Sequence, residues 1–360
     1  MNTNIKKLIR KNLINFTPYQ SARHIGGNGK VFLNANEYPI STKISYDVNL
    51  NRYPEPQPKS IINLYASYAS VKKDNVIVTR GSDESIEIII KAFCNPEKDY
   101  ILYFPPTYDM YKISAEIMGI KYISVPKLSN WQLNIDDIKK INKNVKLIYI
   151  CSPNNPTGNI INVKDIIKLV EIFSKKSLII IDEAYIDFCL ESSVLSLINK
   201  YKNLIILRTL SKAFALAGLR CGFAISNIEI ISILKKIIAP YPIPTPVIKI
   251  AEKSLNSENI LLLKKRVKKI KKNRKFLIQN LKKMSYVKKI FDSSTNYILV
   301  KFYYSKKIFE YLCSQGIILR DQSDKLNLKN CIRITIGTYK ECCILIKKLN
   351  LFIKKNIFRD

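Results

Sequence analysis

The chain has 360 residues, 60 of them Lys or Arg and 28 Asp or Glu, which gives a formal charge of +32 at pH 7. With 47% apolar and 24% charged residues it can bury a sizeable core, which excludes a disordered chain, and no window approaches the roughly 18 uninterrupted apolar residues of a membrane span. Eight cysteines without CxxC spacing read as reduced thiols in a cytoplasmic protein, and the single histidine, His24, excludes a His-dependent triad and an HExxH site, so no metal is expected.

Residues 1–45 read as an irregular arm, basic at its start but without the apolar core of a secretory signal. From 76 to 225 short β-rich runs alternate with helical patterns: VIVT at 76–79, YILYF at 100–104, IKYISV at 120–125, VKLIYI at 145–150, SLIII at 177–181, NLIIL at 203–207 and CGFAI at 221–225. Such alternation predicts an α/β domain with a mainly parallel, seven-stranded, buried sheet, here assigned to 46–240. Pro240, Pro242, Pro244 and Pro246 cannot continue a helix and mark a boundary near 240. Beyond it, 241–360 is expected to form a smaller α+β domain with strands at 297–302 and 332–337. The lysine-dense run at 261–283 places Val267, Ile270, Leu277 and Leu281 at helical spacing, an amphipathic helix with a charged solvated face. The basic charge allows a rival reading as a nucleic-acid binder, but it is spread along the chain without a zinc-finger or RRM signature, so no specific nucleic acid is expected.

The chemistry concentrates at strand ends, where ligands collect in open α/β sheets. In TLSKAFALAGLRCGF (209–223), Lys212 follows a buried strand, and a desolvated lysine there can form a Schiff base with an aldehyde cofactor. An ordinary surface lysine is the alternative in so lysine-rich a chain. SLIIIDEAY places Asp182 directly after an apolar strand, where a carboxylate is costly unless it meets a cation such as a pyridinium N–H. Tyr185, or Asn155 in SPNNPTG, could bond a cofactor hydroxyl. RGSDESIEIIIKAF (80–93) presents the N–H groups of Ser82 and Asp83 at a helix start, an anion site that Ser211 and Arg220 could complete. Tyr108 could stack on a ring or simply belong to the core.

In that order and spacing these residues resemble the pyridoxal 5'-phosphate site of fold-type I aminotransferases. YQSARHIGGNGKVFLNANEYP (19–39), NRYPEPQP (51–58) and GIILRDQSDKLNLKNCIRITIGT (316–338) extend the resemblance to the histidinol-phosphate aminotransferase family, over nearly the whole chain after residue 15. The resemblance implies Lys212 as the cofactor-bearing lysine and proton shuttle, with Asp182, Tyr185 and Asn155 tuning the ring. Ser82, Asp83, Ser211 and Arg220 would hold the phosphate. It further implies that Tyr53 reaches a neighbouring subunit's cofactor, making a homodimer with shared sites. Arg333 would grip the substrate anion, helped by Arg320 and Tyr19. Same-fold alternatives are an aromatic amino-acid aminotransferase or a phosphothreonine-type decarboxylase. His24, Ser85 and Asp109 depart from the family pattern without touching a residue assigned to chemistry.

Overall fold

All seven apolar runs between 76 and 225 become strands of one sheet in the computed structural model, which describes residues 29–40 and 50–354. After a two-residue strand β1 (Val31–Phe32) and helix α1 (Lys59–Ala69), strands and helices alternate as far as β6, and only short 3-10 turns separate the last three strands: β2 (Val76–Thr79), α2 (Gly81–Phe93), β3 (Tyr100–Tyr103), α3 (Met110–Met118), β4 (Lys121–Ser124), α4 (Ile135–Lys139), β5 (Val145–Cys151), α5 (Val163–Ile172), β6 (Leu178–Asp182), β7 (Leu204–Thr209) and β8 (Gly222–Ile225). The sheet order is β2-β8-β7-β6-β5-β3-β4. Every neighbouring pair is parallel except those made by β8, which runs antiparallel to both β2 and β7. The strands are Ile- and Leu-rich rather than alternating because helices cover both faces, so β2, β7 and β8 are buried at every position. Only β4, at the sheet edge, is mostly exposed.

This topology positions the site. The carboxyl ends of β5, β6 and β7 lie side by side, with Cys151 opposite Asp182 and Asp182 opposite Leu207. Because β8 runs the other way, its first residue, Gly222, sits opposite both Thr79 and Thr209 at that same edge.

The remaining elements are α6 (Ile228–Ile237), α7 (Thr245–Ser254), α8 (Ser257–Leu281), β9 (Val287–Ile290), β10 (Tyr297–Phe302), α9 (Ser305–Ser314), β11 (Ile317–Ile318), β12 (Arg320–Asp321), β13 (Cys331–Thr335) and α10 (Tyr339–Lys354). Strands β12-β13-β10-β9 form an antiparallel sheet. The proline-rich stretch separates α6 from α7, and Pro246 lies in the first turn of α7, where a missing N–H costs nothing. Helix α8 buries Ile270, Leu277 and Leu281 as its apolar stripe requires, and Val267 packs at the margin. Its buried set also includes Asn273, which donates to Gly337 O at 2.9 Å. Among the described residues no helix is long and apolar enough to cross a membrane.

The arm is less irregular than its sequence suggests, since β1 pairs in parallel with β11. Val31 and Leu33 are buried while Phe32 between them is not, an alternation too short to read as a strand before its partner is known.

Candidate active site

Asp182 ends β6 with its carboxylate buried, and it accepts hydrogen bonds from Tyr111 Oη (2.7 Å) and the Ala184 N–H (3.0 Å). Burial outweighs these bonds and pushes the carboxyl up to about 6. Lys212 follows β7 across the same opening. Burial, then the Arg333 guanidinium, pull its amine down to about 8 against the opposing pull of Asp83 and Glu37. Its Nζ lies 3.5 Å from Ala35 O and 5.6 Å from the centre of the Tyr185 ring. A carboxylate held against its preference for water and an amine that gives up its proton more readily than an ordinary lysine face one cavity of about 240 Å³.

The other end of the cavity is backbone. Helix α2 begins at Gly81, whose φ of +79° suits glycine. A Cβ on Gly222 would lie 2.5 Å from Gly81 C and 2.6 Å from Ser82 N, so only glycine there lets the start of α2 settle against β8. Beside that cradle Arg220 Nη1 donates to Ser211 Oγ at 3.4 Å, and Nη2 meets Asp83 Oδ2 at 3.3 Å. The expected set for an anion is therefore assembled. The carboxylate of Asp83 is taken by Arg220 and by Tyr108 Oη (2.9 Å) and would repel a phosphate, so what Asp83 offers an anion is its N–H.

At the opposite side Arg333, 7% exposed, donates from Nη1 to Asn155 Oδ1 and from Nη2 to Asn34 O (2.8 Å), and lies over the Tyr297 ring. Tyr185 is buried, its hydroxyl bonded to Asn36 Nδ2 at 3.0 Å. Ser82, Asp83, Tyr108, Asn155, Asp182, Tyr185, Ser211, Lys212, Arg220 and Arg333 thus line the same cavity. Tyr53 does not: it is 82% exposed and stacks on Tyr241 at 4.5 Å. Arg320 sits opposite Arg333 on β12 but outside the lining, and Tyr19 and His24 lie outside the described residues. Ser85 meets Thr79 Oγ1 at 2.8 Å, and Asp109 pairs with Lys325.

Sequence reasoning missed Tyr111 and Asn36, whose roles depend on partners far along the chain, and the buried pair of Glu183 and Arg208 (2.8 Å) behind Asp182. The adjacency of Glu183 to Asp182 and of Arg208 to Thr209 was the one local hint.

The donor set fits pyridoxal 5'-phosphate. A desolvated amine suits its aldehyde, a buried carboxylate its protonated ring nitrogen, and a glycine-cleared helix start with Arg220 its phosphate.

A family model described as aminotransferase class I and II matches residues 30–349. A histidinol-phosphate aminotransferase of Blochmanniella floridana is 55% identical over 348 residues, 96% of this chain and 98% of that protein. The crystal structure of the histidinol-phosphate aminotransferase from Clostridium acetobutylicum superimposes with a TM-score of 0.81 at 27% identity, covering 91% of this chain and 100% of that one. That of the Sinorhizobium meliloti enzyme in complex with pyridoxal-5'-phosphate, at 20% identity, shares the fold with a TM-score of 0.85 over 96% and 98% of the two chains.

Proposed function

The chain belongs to the class I and II aminotransferase family, and we propose that it moves an amino group between L-glutamate and imidazole acetol phosphate, giving 2-oxoglutarate and L-histidinol phosphate in histidine biosynthesis. The observation that carries this reading is the cavity in which Lys212, Asp182 and the Arg333 fork converge. Relatives above 50% identity that bear the histidinol-phosphate name support the substrate.

Pyridoxal 5'-phosphate, when bound, supplies an aldehyde that exchanges with amines and a ring that accepts electrons. The protein's own residues do the rest. Lys212, with its amine near 8, takes and returns the proton at the substrate carbon. Asp182, oriented by Tyr111, would keep a proton on the ring nitrogen, and Tyr185 and Asn155 would bond the ring hydroxyl. Ser82 and Asp83 through their N–H groups, with Ser211 and Arg220, would hold the cofactor phosphate. Arg333 offers one guanidinium fork to two unlike anions, phosphate in one half-reaction and carboxylate in the other, with Arg320 and Tyr19 as helpers at the phosphate.

A homodimer is part of the proposal. Tyr53, exposed and stacked on Tyr241, is the side chain that would enter the neighbouring site. Eight free thiols suit the reducing cytoplasm. The test is the visible absorbance of the cofactor-loaded protein, which should change on adding L-histidinol phosphate and less with phenylalanine or threonine phosphate. A stronger response to either of the latter two overturns the substrate assignment.

A further inference from the structure

The loops that carry Tyr108 and Asn155 leave the sheet from β3 and β5, and a cation that the proposed reaction does not use lies between them. Lys127 is 5% exposed. Its Nζ donates to Phe104 O, to Pro106 O at 3.1 Å and to Asn154 Oδ1 at 3.3 Å, and its backbone N–H reaches Pro105 O at 3.0 Å. Three ammonium protons meet three oxygens, and among the described residues no carboxylate lies within ion-pair distance of this amine.

A buried charge without a counter-ion is costly, and burial pulls the Lys127 amine down to about 7. All three partners are acceptors, so the protonated amine is the form that satisfies them, and what its hydrogen bonds join is two loops. On one side is the segment from Phe104 to Thr107, directly before Tyr108. On the other is Asn154, directly before Asn155. Asn154 Oδ1 also accepts from Thr107 Oγ1 (2.8 Å), Nδ2 donates to Pro106 O (3.0 Å) and Thr157 Oγ1 (2.6 Å), and its carbonyl accepts from Tyr297 Oη (2.7 Å). The network leaves no polar atom of the Asn154 side chain without a partner and ties the two loops at their bases.

We propose that Lys127 is a positioning residue, a tethered cation whose ammonium, caged by three oxygens, fixes Tyr108 and Asn155 against the cofactor cavity. The inference rests on the reading of that cavity given above.

The test compares pyridoxal 5'-phosphate binding, followed by absorbance titration of the full chain, in Lys127→Met, Lys127→Ala and the exposed-site control Lys139→Ala. Methionine replaces the lysine stem without its charge. Loss of charge-assisted hydrogen bonds should weaken binding by about tenfold or more and displace the visible band, with the far-ultraviolet circular dichroism unchanged. Alanine leaves the oxygen cage open to solute, so ammonium or methylammonium chloride should restore binding in Lys127→Ala, while sodium chloride should not. Neither salt should alter the wild type or Lys139→Ala. A Lys127→Met protein that binds as the wild type does, or a folded Lys127→Ala protein indifferent to ammonium, overturns the proposal. If the alanine variant does not fold, the methionine variant decides alone. Failure of the wild type itself to bind the cofactor would instead sink the reading of the site.

Discussion

Asp182, Tyr185 and Ser211 on the floor of the cavity are 2%, 5% and 5% exposed, whereas at its rim the side chains of Arg220 and Asp83 are 49% and 36% exposed. The floor is assembled by strand ends that the sheet holds rigidly, and its charges are kept from water. The rim is an ion pair that solvent screens. The same residue types therefore carry different weights: a group on the floor works through a field that water does not weaken, and a group on the rim largely through position.

That contrast sets an order of expected effects. Lys212→Ala removes the proton shuttle and should lower kcat by about a thousandfold or more, measured with L-histidinol phosphate as amino donor. Asp182 comes next, through stability. Its carboxyl is raised from 3.8 to about 6 in the folded chain, so the folded state binds the proton more tightly than the unfolded state. The stability that protonated Asp182 confers is present at low pH and is lost as pH rises from about 4 to 6. Cofactor-free wild type should therefore lose stability relative to Asp182→Asn across that window, on the order of 3 kcal/mol, in urea unfolding at several pH values. A flat difference would show that the floor is wetter than its geometry indicates. Arg333→Lys, which replaces the fork bonded to Asn155 and Asn34, should reduce kcat/KM for histidinol phosphate by roughly tenfold or more. The smallest effect belongs to the rim: Arg220→Lys should weaken cofactor binding only about threefold, and less at high salt. A loss at Arg220 as large as that at Arg333 would erase the distinction between floor and rim.

The floor was also the more legible part. Asp182 and Lys212 each follow an apolar strand within a few residues, so one rule, that ligands collect at carboxyl ends of parallel strands, finds both. All seven strands of the large sheet were readable for the same reason, being short apolar runs bounded by turns. What could not be read is whatever depends on a distant partner. Tyr111 lies on the inner face of α3 and has the pattern of a core residue; only the folded sheet brings its hydroxyl to Asp182, 71 positions away. Asn36 meets Tyr185 across 149 positions, and Arg333 meets Asn155 across 178. Asp83 was placed correctly at the helix start, but its charge is spoken for by Arg220 and Tyr108, which no local spacing records.

Strand β1 pairs with β11, Val31 opposite Ile317, and Asn36 N–H donates to Thr335 Oγ1 on β13 at 3.0 Å across 299 positions. Chains are made from the N-terminus at a finite pace, so β1 must wait for nearly the whole chain to leave the ribosome before its partner exists. The large sheet can form earlier, because its strands all precede residue 226. Completion of the cavity wall at Asn36, Tyr185 and Arg333 thus follows the strands that carry the floor of the site, which all lie earlier in the chain.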